Sequence, residues 1–318
     1  MKIYISDFEK HAGKWIYQGY QKAWASLGFE VIKCDTSAYP KYILPEPQPA
    51  PGEEYMVMLT EYDAQLMHDA PGIRSINLIA NSTKTFLFVQ PSRYPEPWAQ
   101  HPNFTTCLNI QLSSMIKQMD NVYPWTFADA RAYDFYPRWE DKINTVPLAF
   151  DSIGYTPTEV EKYKQFDISF VGGWADNGFD EKRKIMMKTF AAFKDSGLKC
   201  GFFINKNLSH QQECDLLANS KMTINVHDAY QRTLGTDTNE RTYKSLGLNG
   251  LMISDTVKQL NDIFPSVRTT LEPSEMVTIA KEILSLPESE FDNIKEVNRE
   301  NILKNHCYIN RAQAFLDL

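Results

Sequence analysis

In each half of this chain, short apolar runs alternate with amphipathic stretches of helical spacing. That alternation commits a chain to βαβ units, because parallel strands need a long crossover that packs back on the sheet. In the first round, "MKIYIS" opens as a strand. "KWIYQGYQKAWASLG" then sets Trp15, Ile16, Tyr20, Ala23, Trp24 and Leu27 near helical spacing and stops at Gly28. "FEVIKCD", "YMVMLTEYD" and "KTFLFVQPSRYP" read as strands, "AQLMHDAPGIRSINLIA" as mostly helix, and the Pro-rich residues 36–54 as a loop. "NFTTCLNIQ" is a candidate for one more strand. Residues 121–140 interrupt the rhythm with Tyr123, Trp125, Phe127, Tyr133, Phe135, Tyr136 and Trp139, and a strand then runs into a linker near 150–162.

The second round starts at "DISFVGG" and continues through the helix "EKRKIMMKTFAAFKDSG", the strand "KCGFFIN" and the helix "SHQQECDLLANS", capped by Ser209. It closes on the strands "KMTINVHD" and "LMISD", a short strand "RTTLEP", and helices from Ser274 onward. Two α/β domains are expected, with a default ligand site at the carboxyl ends of their strands.

The charge balance narrows the partners. The formal charge of −7 is spread evenly: 13 basic against 16 acidic residues in 1–150, and 20 against 24 in 151–318. There is no basic domain and no acidic tail, and a mildly acidic surface argues against a protein that lives on nucleic acid, whose phosphates require a concentrated positive patch. Five scattered cysteines without a CxxC suit reduced, buried thiols better than disulfides or zinc. No apolar run is long enough to span a membrane, and the first residues are too polar for a signal peptide. The expectation is a soluble, cytoplasmic protein of unknown oligomeric state.

The stretch "FDISFVGGWADNGFDEKRK" carries the first chemical signal. A strand ending in Gly172 and Gly173 and feeding a helix is suited to an anion, with Arg183 adding a charge-assisted contact. The same glycines equally suit a plain tight turn. The pattern is not GxGxxG, which argues against a nicotinamide cofactor. The second signal is "GTDTNERTYKSLGLNGLMISD", where Asn239, Glu240, Arg241 and Lys244 sit at a loop-to-helix junction. Glu240 and Lys244 are spaced for a surface ion pair worth under about 0.5 kcal/mol. Alternatively, the helix start binds a diphosphate with Asn239 and Arg241 assisting.

Taken in order, "DISFVGG…KR", "SKMTINVHD", "NERTYKSLGLNGLMISD", "SEMVTIAKEIL" and "NHCYINRAQAFL" resemble the C-terminal half of spore-maturation CgeB-like glycosyltransferases, over roughly residues 140–318. The resemblance implies a GT-B fold: two Rossmann-like domains with parallel sheets facing across a cleft. It implies an acceptor domain over 1–150, a nucleotide-sugar donor domain over 151–300, and a helix over 301–318 crossing back to the hinge and first domain. It places Gly172, Gly173 and Arg183 near the diphosphate, Asn225 and His227 at a strand end facing the cleft, and Asn239 and Arg241 on the family's Asn-x-Arg. Glu240, Tyr243 and Lys244 fall in the nucleotide pocket. One departure is plain: the family often has an aromatic–Glu pair where this chain has Tyr243–Lys244, and lysine cannot accept hydrogen bonds from ribose hydroxyls.

No metal-ligand spacing is present, which suits a cleft where the helix dipole and cations stabilise the leaving diphosphate without a metal or other cofactor. An inverting transferase needs a base on a first-domain loop; Asp7 and His11 are the leading candidates, followed by Glu61 and Asp63. The aromatic segment has two readings. One is core packing; the other is an acceptor platform built from Trp125, Arg131, Tyr133 and Arg138. The expected activity is transfer of a sugar, most commonly from a UDP-sugar, to a hydroxyl acceptor such as a glycan. Transfer to modified DNA bases, nucleotide-sugar epimerisation and non-catalytic binding stand as alternatives.

Overall fold

The computed structural model describes residues 1–7, 11–35, 48–69, 76–99, 105–129, 132–139, 142–174 and 181–318. The chain forms two compact units: Met1–Pro147 together with Tyr308–Leu318, and Leu148–Cys307. Both are α/β units built on a parallel sheet. Among the described residues no helix is long and apolar enough to cross a membrane.

In the first unit the order is β1 (Lys2–Asp7), α1 (His11–Ser26), β2 (Glu30–Asp35), β3 (Tyr55–Thr60), α2 (Glu61–Asp69), α3 (Ile76–Ala80), β4 (Lys84–Phe88), α4 (Ile110–Lys117), β5 (Val122–Thr126), α5 (Ala132–Phe135) and β6 (Asn144–Thr145). The strands lie in the order β2-β1-β3-β4-β5-β6, all parallel. Every residue of β3 is buried, as a strand covered on both faces requires.

Three local expectations change. "YMVMLTEYD" divides at Thr60 because Thr60 and Asp63 form a reciprocal cap. The Asp63 carboxylate accepts the Thr60 N–H at 2.9 Å, and the Thr60 hydroxyl accepts the Asp63 N–H at 3.3 Å, which starts α2. "NFTTCLNIQ" contains no strand among its described residues; Asn109 caps α4 instead, accepting the Leu112 N–H at 2.7 Å. A strand does run through the aromatic segment. β5 tolerates Pro124 because its short neighbour β6 pairs only with Trp125 and Thr126.

A helix that follows the second unit in sequence, α14 (Tyr308–Asp317), completes the first unit. It packs on α1, where a Cβ at Gly19 would lie 2.3 Å from the Tyr308 ring, so only glycine lets the two helices approach this closely. Phe315 enters an aromatic cluster at ring distances of 4.8 Å from Phe86 and 5.1 Å from Trp125.

In the second unit the order is α6 (Glu161–Lys164), β7 (Ile168–Gly172), α7 (Glu181–Lys194), β8 (Cys200–Ile204), α8 (His210–Asn219), β9 (Met222–Asn225), α9 (Ala229–Leu234), α10 (Glu240–Leu248), β10 (Met252–Ser254), α11 (Lys258–Ile263), α12 (Pro273–Leu284) and α13 (Glu288–Asn305). The sheet order is β10-β9-β7-β8, all parallel. "RTTLEP" contributes only an isolated bridge between Ser254 and Thr269. The chain leaves β7 for β8 on one side and later returns to β9 on the other. Connections departing in opposite directions leave a crevice at the carboxyl ends of β7 and β9.

Candidate donor site

The start of α10 lies at that crevice. Asn239 is the N-cap, in extended conformation (φ −77°, ψ 165°), and its Oδ1 accepts the Thr242 N–H at 3.3 Å. This leaves the positive end of the helix facing the strand ends.

Arg241, in the first turn, spans the crevice. Its Nε donates to the Val171 carbonyl at the end of β7 at 2.9 Å, and its Nη1 donates to Asn225 Oδ1 at the end of β9 at 3.2 Å. Its guanidinium lies 4.6 Å from the centre of the Phe170 ring. Among the described residues Nη2 has no hydrogen-bond partner. Glycine at 172 also has a role within the protein itself. A Cβ there would stand 2.3 Å from Arg241 Nη2, so the missing side chain makes room for the guanidinium. Gly173, next along, is exposed.

The second cation is Lys182, which the sequence reading missed in favour of its neighbour. Arg183 is exposed and lies over the Trp174 ring at 5.4 Å. Lys182, one position earlier on α7, has a side chain only 12% exposed and pairs with Asp228 at 2.9 Å. Burial pulls its ammonium below the ordinary lysine range; Asp228 resists this and the nearby Arg241 charge adds to it. Two cations and a helix N-terminus therefore converge at one strand-end crevice, an arrangement suited to an anion with more than one negative charge.

Several expected ligand contacts are supports instead. Asn225 and His227 are fully buried, so neither presents a side chain to a donor. Tyr243 is fully buried against Phe264, with ring centres 5.5 Å apart, and is a core residue.

Lys244 departs from the expected surface pair. It is buried and forms ion pairs with Glu213 of α8 and, at 3.4 Å, with Glu240 one turn earlier. Burial opposes the charge on Lys244, yet Glu240 and Glu213 outweigh it and hold its pKa above the usual lysine value. Burial likewise works to raise the Glu213 pKa, but Lys244 wins and holds it below the usual carboxylate value. Glu240 also accepts the Tyr155 hydroxyl at 3.3 Å. Lys244 thus stands between two carboxylates, one from α8 and one from its own helix.

The first-unit candidates separate by burial. Asp7 ends β1 with a partly exposed carboxylate that accepts from Gln21 at 3.2 Å and Lys33 at 3.3 Å. His11 opens α1, and its side chain lies outside the described residues. Glu61 is fully buried: Oε2 accepts the Gln90 N–H at 2.9 Å and the Thr106 hydroxyl at 2.7 Å, and Oε1 accepts the Cys107 N–H at 2.9 Å. Glu61 is therefore a brace that ties together two points of the β4–α4 connection rather than an accessible base. Asp63, the Thr60 cap, is likewise fully buried.

Of the proposed acceptor platform, Trp125 is fully buried among Tyr20, Phe88, Phe127 and Phe315 and offers no face for stacking. Arg138 is committed to the Leu108 carbonyl at 2.7 Å. Tyr133 keeps an exposed ring, its hydroxyl donating to the Ile143 carbonyl at 3.0 Å. Arg131 lies outside the described residues.

Comparisons with known proteins bear on the fold and on the second unit. Residues 160–317 match the family model described as Glycosyl transferase-like. No curated protein matches the chain in sequence. Among solved structures, Anabaena Alr3699/HepE in complex with UDP-glucose is similar, with 10% identity, a TM-score of 0.59, and coverage of 100% of this chain and 98% of that one. WaaG, a glycosyltransferase involved in lipopolysaccharide biosynthesis, is similar at 11% identity and a TM-score of 0.51, over 99% and 98% of the two chains. The N-terminal domain of Candida albicans trehalose-6-phosphate phosphatase reaches a TM-score of 0.50 at 11% identity, over 86% and 70%. The two parallel-sheet units have the GT-B fold of these structures, and the second unit carries the match to the glycosyltransferase-like family.

Proposed function

We propose that the chain transfers a sugar from a nucleoside-diphosphate donor, specifically a UDP-sugar, to a hydroxyl acceptor such as a glycan. The observation that carries this reading is the convergence of Arg241, Lys182 and the α10 N-terminus at the β7/β9 crevice. A leaving diphosphate needs positive charge placed before the bond breaks, and fixed cations with a helix dipole supply it without reorganisation. On this reading the site calls on no metal ion. The similarity to a protein solved with UDP-glucose favours uridine in the donor. On the acceptor side, Asp7 is the base we favour, because its carboxylate is partly exposed at a strand end.

Calorimetric titration with UDP tests the donor reading. Arg241→Ala is expected to weaken UDP about 100-fold, the scale of a charge-assisted hydrogen-bond pair lost from a partly buried site. An unchanged affinity removes Arg241 from the site. Gly172→Ala is expected to keep the fold and weaken UDP by roughly tenfold. The new methyl meets the tip of a side chain already fixed at Nε and Nη1, so the guanidinium must shift. If Gly172→Ala binds UDP as the parent does, the guanidinium is not held where it matters.

A further inference from the structure

Behind the crevice, a chain of hydrogen bonds among buried side chains runs from Arg241 to Asp255. Arg241 Nη1 meets Asn225 Oδ1 at 3.2 Å. Asn225 Nδ2 meets Thr242 Oγ1 at 2.9 Å, and Thr242 Oγ1 meets Thr238 Oγ1 at 2.6 Å. Thr238 Oγ1 meets His227 Nε2 at 2.8 Å, and His227 Nδ1 meets Asp255 Oδ1 at 2.5 Å. Asn225, His227, Thr238, Thr242 and Asp255 are all at most 2% exposed, so water supplies no alternative partner.

The direction of every bond follows from one end. A guanidinium only donates, so Asn225 turns its oxygen to Arg241 and its NH2 to Thr242. The Thr242 oxygen then accepts, and its hydrogen goes to Thr238. The Thr238 hydrogen in turn goes to His227, which requires a bare Nε2. The imidazole proton is left on Nδ1, facing Asp255. The other end agrees: both Asp255 oxygens accept the His227 backbone N–H, at 3.1 and 3.0 Å, and the carboxylate also lies 3.5 Å from Arg232 Nε. A proton on Nε2 would leave one hydroxyl hydrogen of the Thr238–Thr242 pair without an acceptor in a buried site, whichever of the two donates to the other, and that is costly.

We infer that His227, held by Asp255 with its proton on Nδ1, is a positioning residue that fixes the Arg241 guanidinium through Thr238, Thr242 and Asn225. His227 does not touch the donor; it sets the aim of the group that does. The consequence for binding rests on the diphosphate reading above, whereas the ring tautomer does not.

Two measurements on the full chain test the inference. Nitrogen-15 NMR of the His227 ring, assigned through its own backbone, is expected to show a protonated Nδ1 and a bare Nε2 at neutral pH. A protonated Nε2 overturns the inference whatever the ligand. Titration then compares UDP with uridine. Thr238→Val, which keeps the shape and leaves only the long 3.4 Å contact of Asn225 Nδ2 with His227 Nε2, is expected to weaken UDP about tenfold and leave uridine unchanged. Thr238→Ser, which keeps the hydroxyl, is expected to stay within about twofold of the parent for both. A variant that merely loosens the fold weakens both ligands alike, and that outcome, or UDP binding unaffected by Thr238→Val, overturns the inference. If the parent chain binds no UDP, the donor reading fails, and the ring tautomer still decides the hydrogen-bond chain.

Discussion

Replacing Lys244 by alanine is expected to lower the unfolding free energy of the second unit by about 3–5 kcal/mol, because it strands two carboxylates in a buried site. Glu213 and Glu240 have side chains only 14% exposed, and Lys244 stands between them. Its removal leaves like charges facing each other as well as unpaired. Guanidinium unfolding checks the figure, and a loss under about 1 kcal/mol would return the pair to the surface class. The double variant Lys244→Ala with Glu213→Gln separates charge from packing. It removes one stranded charge and is expected to regain much of the lost stability. The pH dependence follows the signs of the shifts. Glu213 lies below its ordinary value in the folded chain, so its contribution is present above that value and lost as pH falls through the depressed one. Lys244 lies above its ordinary value, so its contribution is lost as pH rises through the elevated one.

Trp125→Ala is expected to lower the stability of the first unit by about 3–5 kcal/mol, the usual cost of deleting a fully buried large aromatic. Ring contacts at 5.8 Å to Tyr20, 5.2 Å to Phe88, 5.3 Å to Phe127 and 5.1 Å to Phe315 are lost together. The measurement is a denaturant curve, paired with transfer rates corrected for the folded fraction. Corrected rates equal to the parent's place Trp125 in the core alone. A stable variant with a raised acceptor KM would restore it as a stacking platform.

Much of the architecture was legible because apolar runs and helical spacing are local signals. The strands of both sheets each occupy a few apolar residues, and the α10 start carries a cap residue that marks it. What escaped was nonlocal or ambiguous in phase. Lys182 and Arg183 are adjacent basic residues at the start of α7, so nothing local distinguished Lys182 from Arg183 as the more buried cation. Glu213 precedes Lys244 by a whole α/β step, and no spacing rule links them. β5 was hidden by Pro124, which ordinarily argues against a strand, and its aromatic residues read equally as core or platform until neighbours were known. Thr60 and Asp63 did carry a capping spacing, and attention to it would have ended β3 at the right place.

The placement of α14 governs how the molecule can be made. Phe315 and Tyr308 fill part of the first unit, yet they are translated only after the whole of Leu148–Cys307. A ribosome that has released residues up to Pro147 has released a sheet with one flank bare, and that flank must wait while an intervening body of 160 residues emerges. The intervening body is an uninterrupted piece of sequence, whereas a chain stopped at Pro147 lacks the second piece of the first unit.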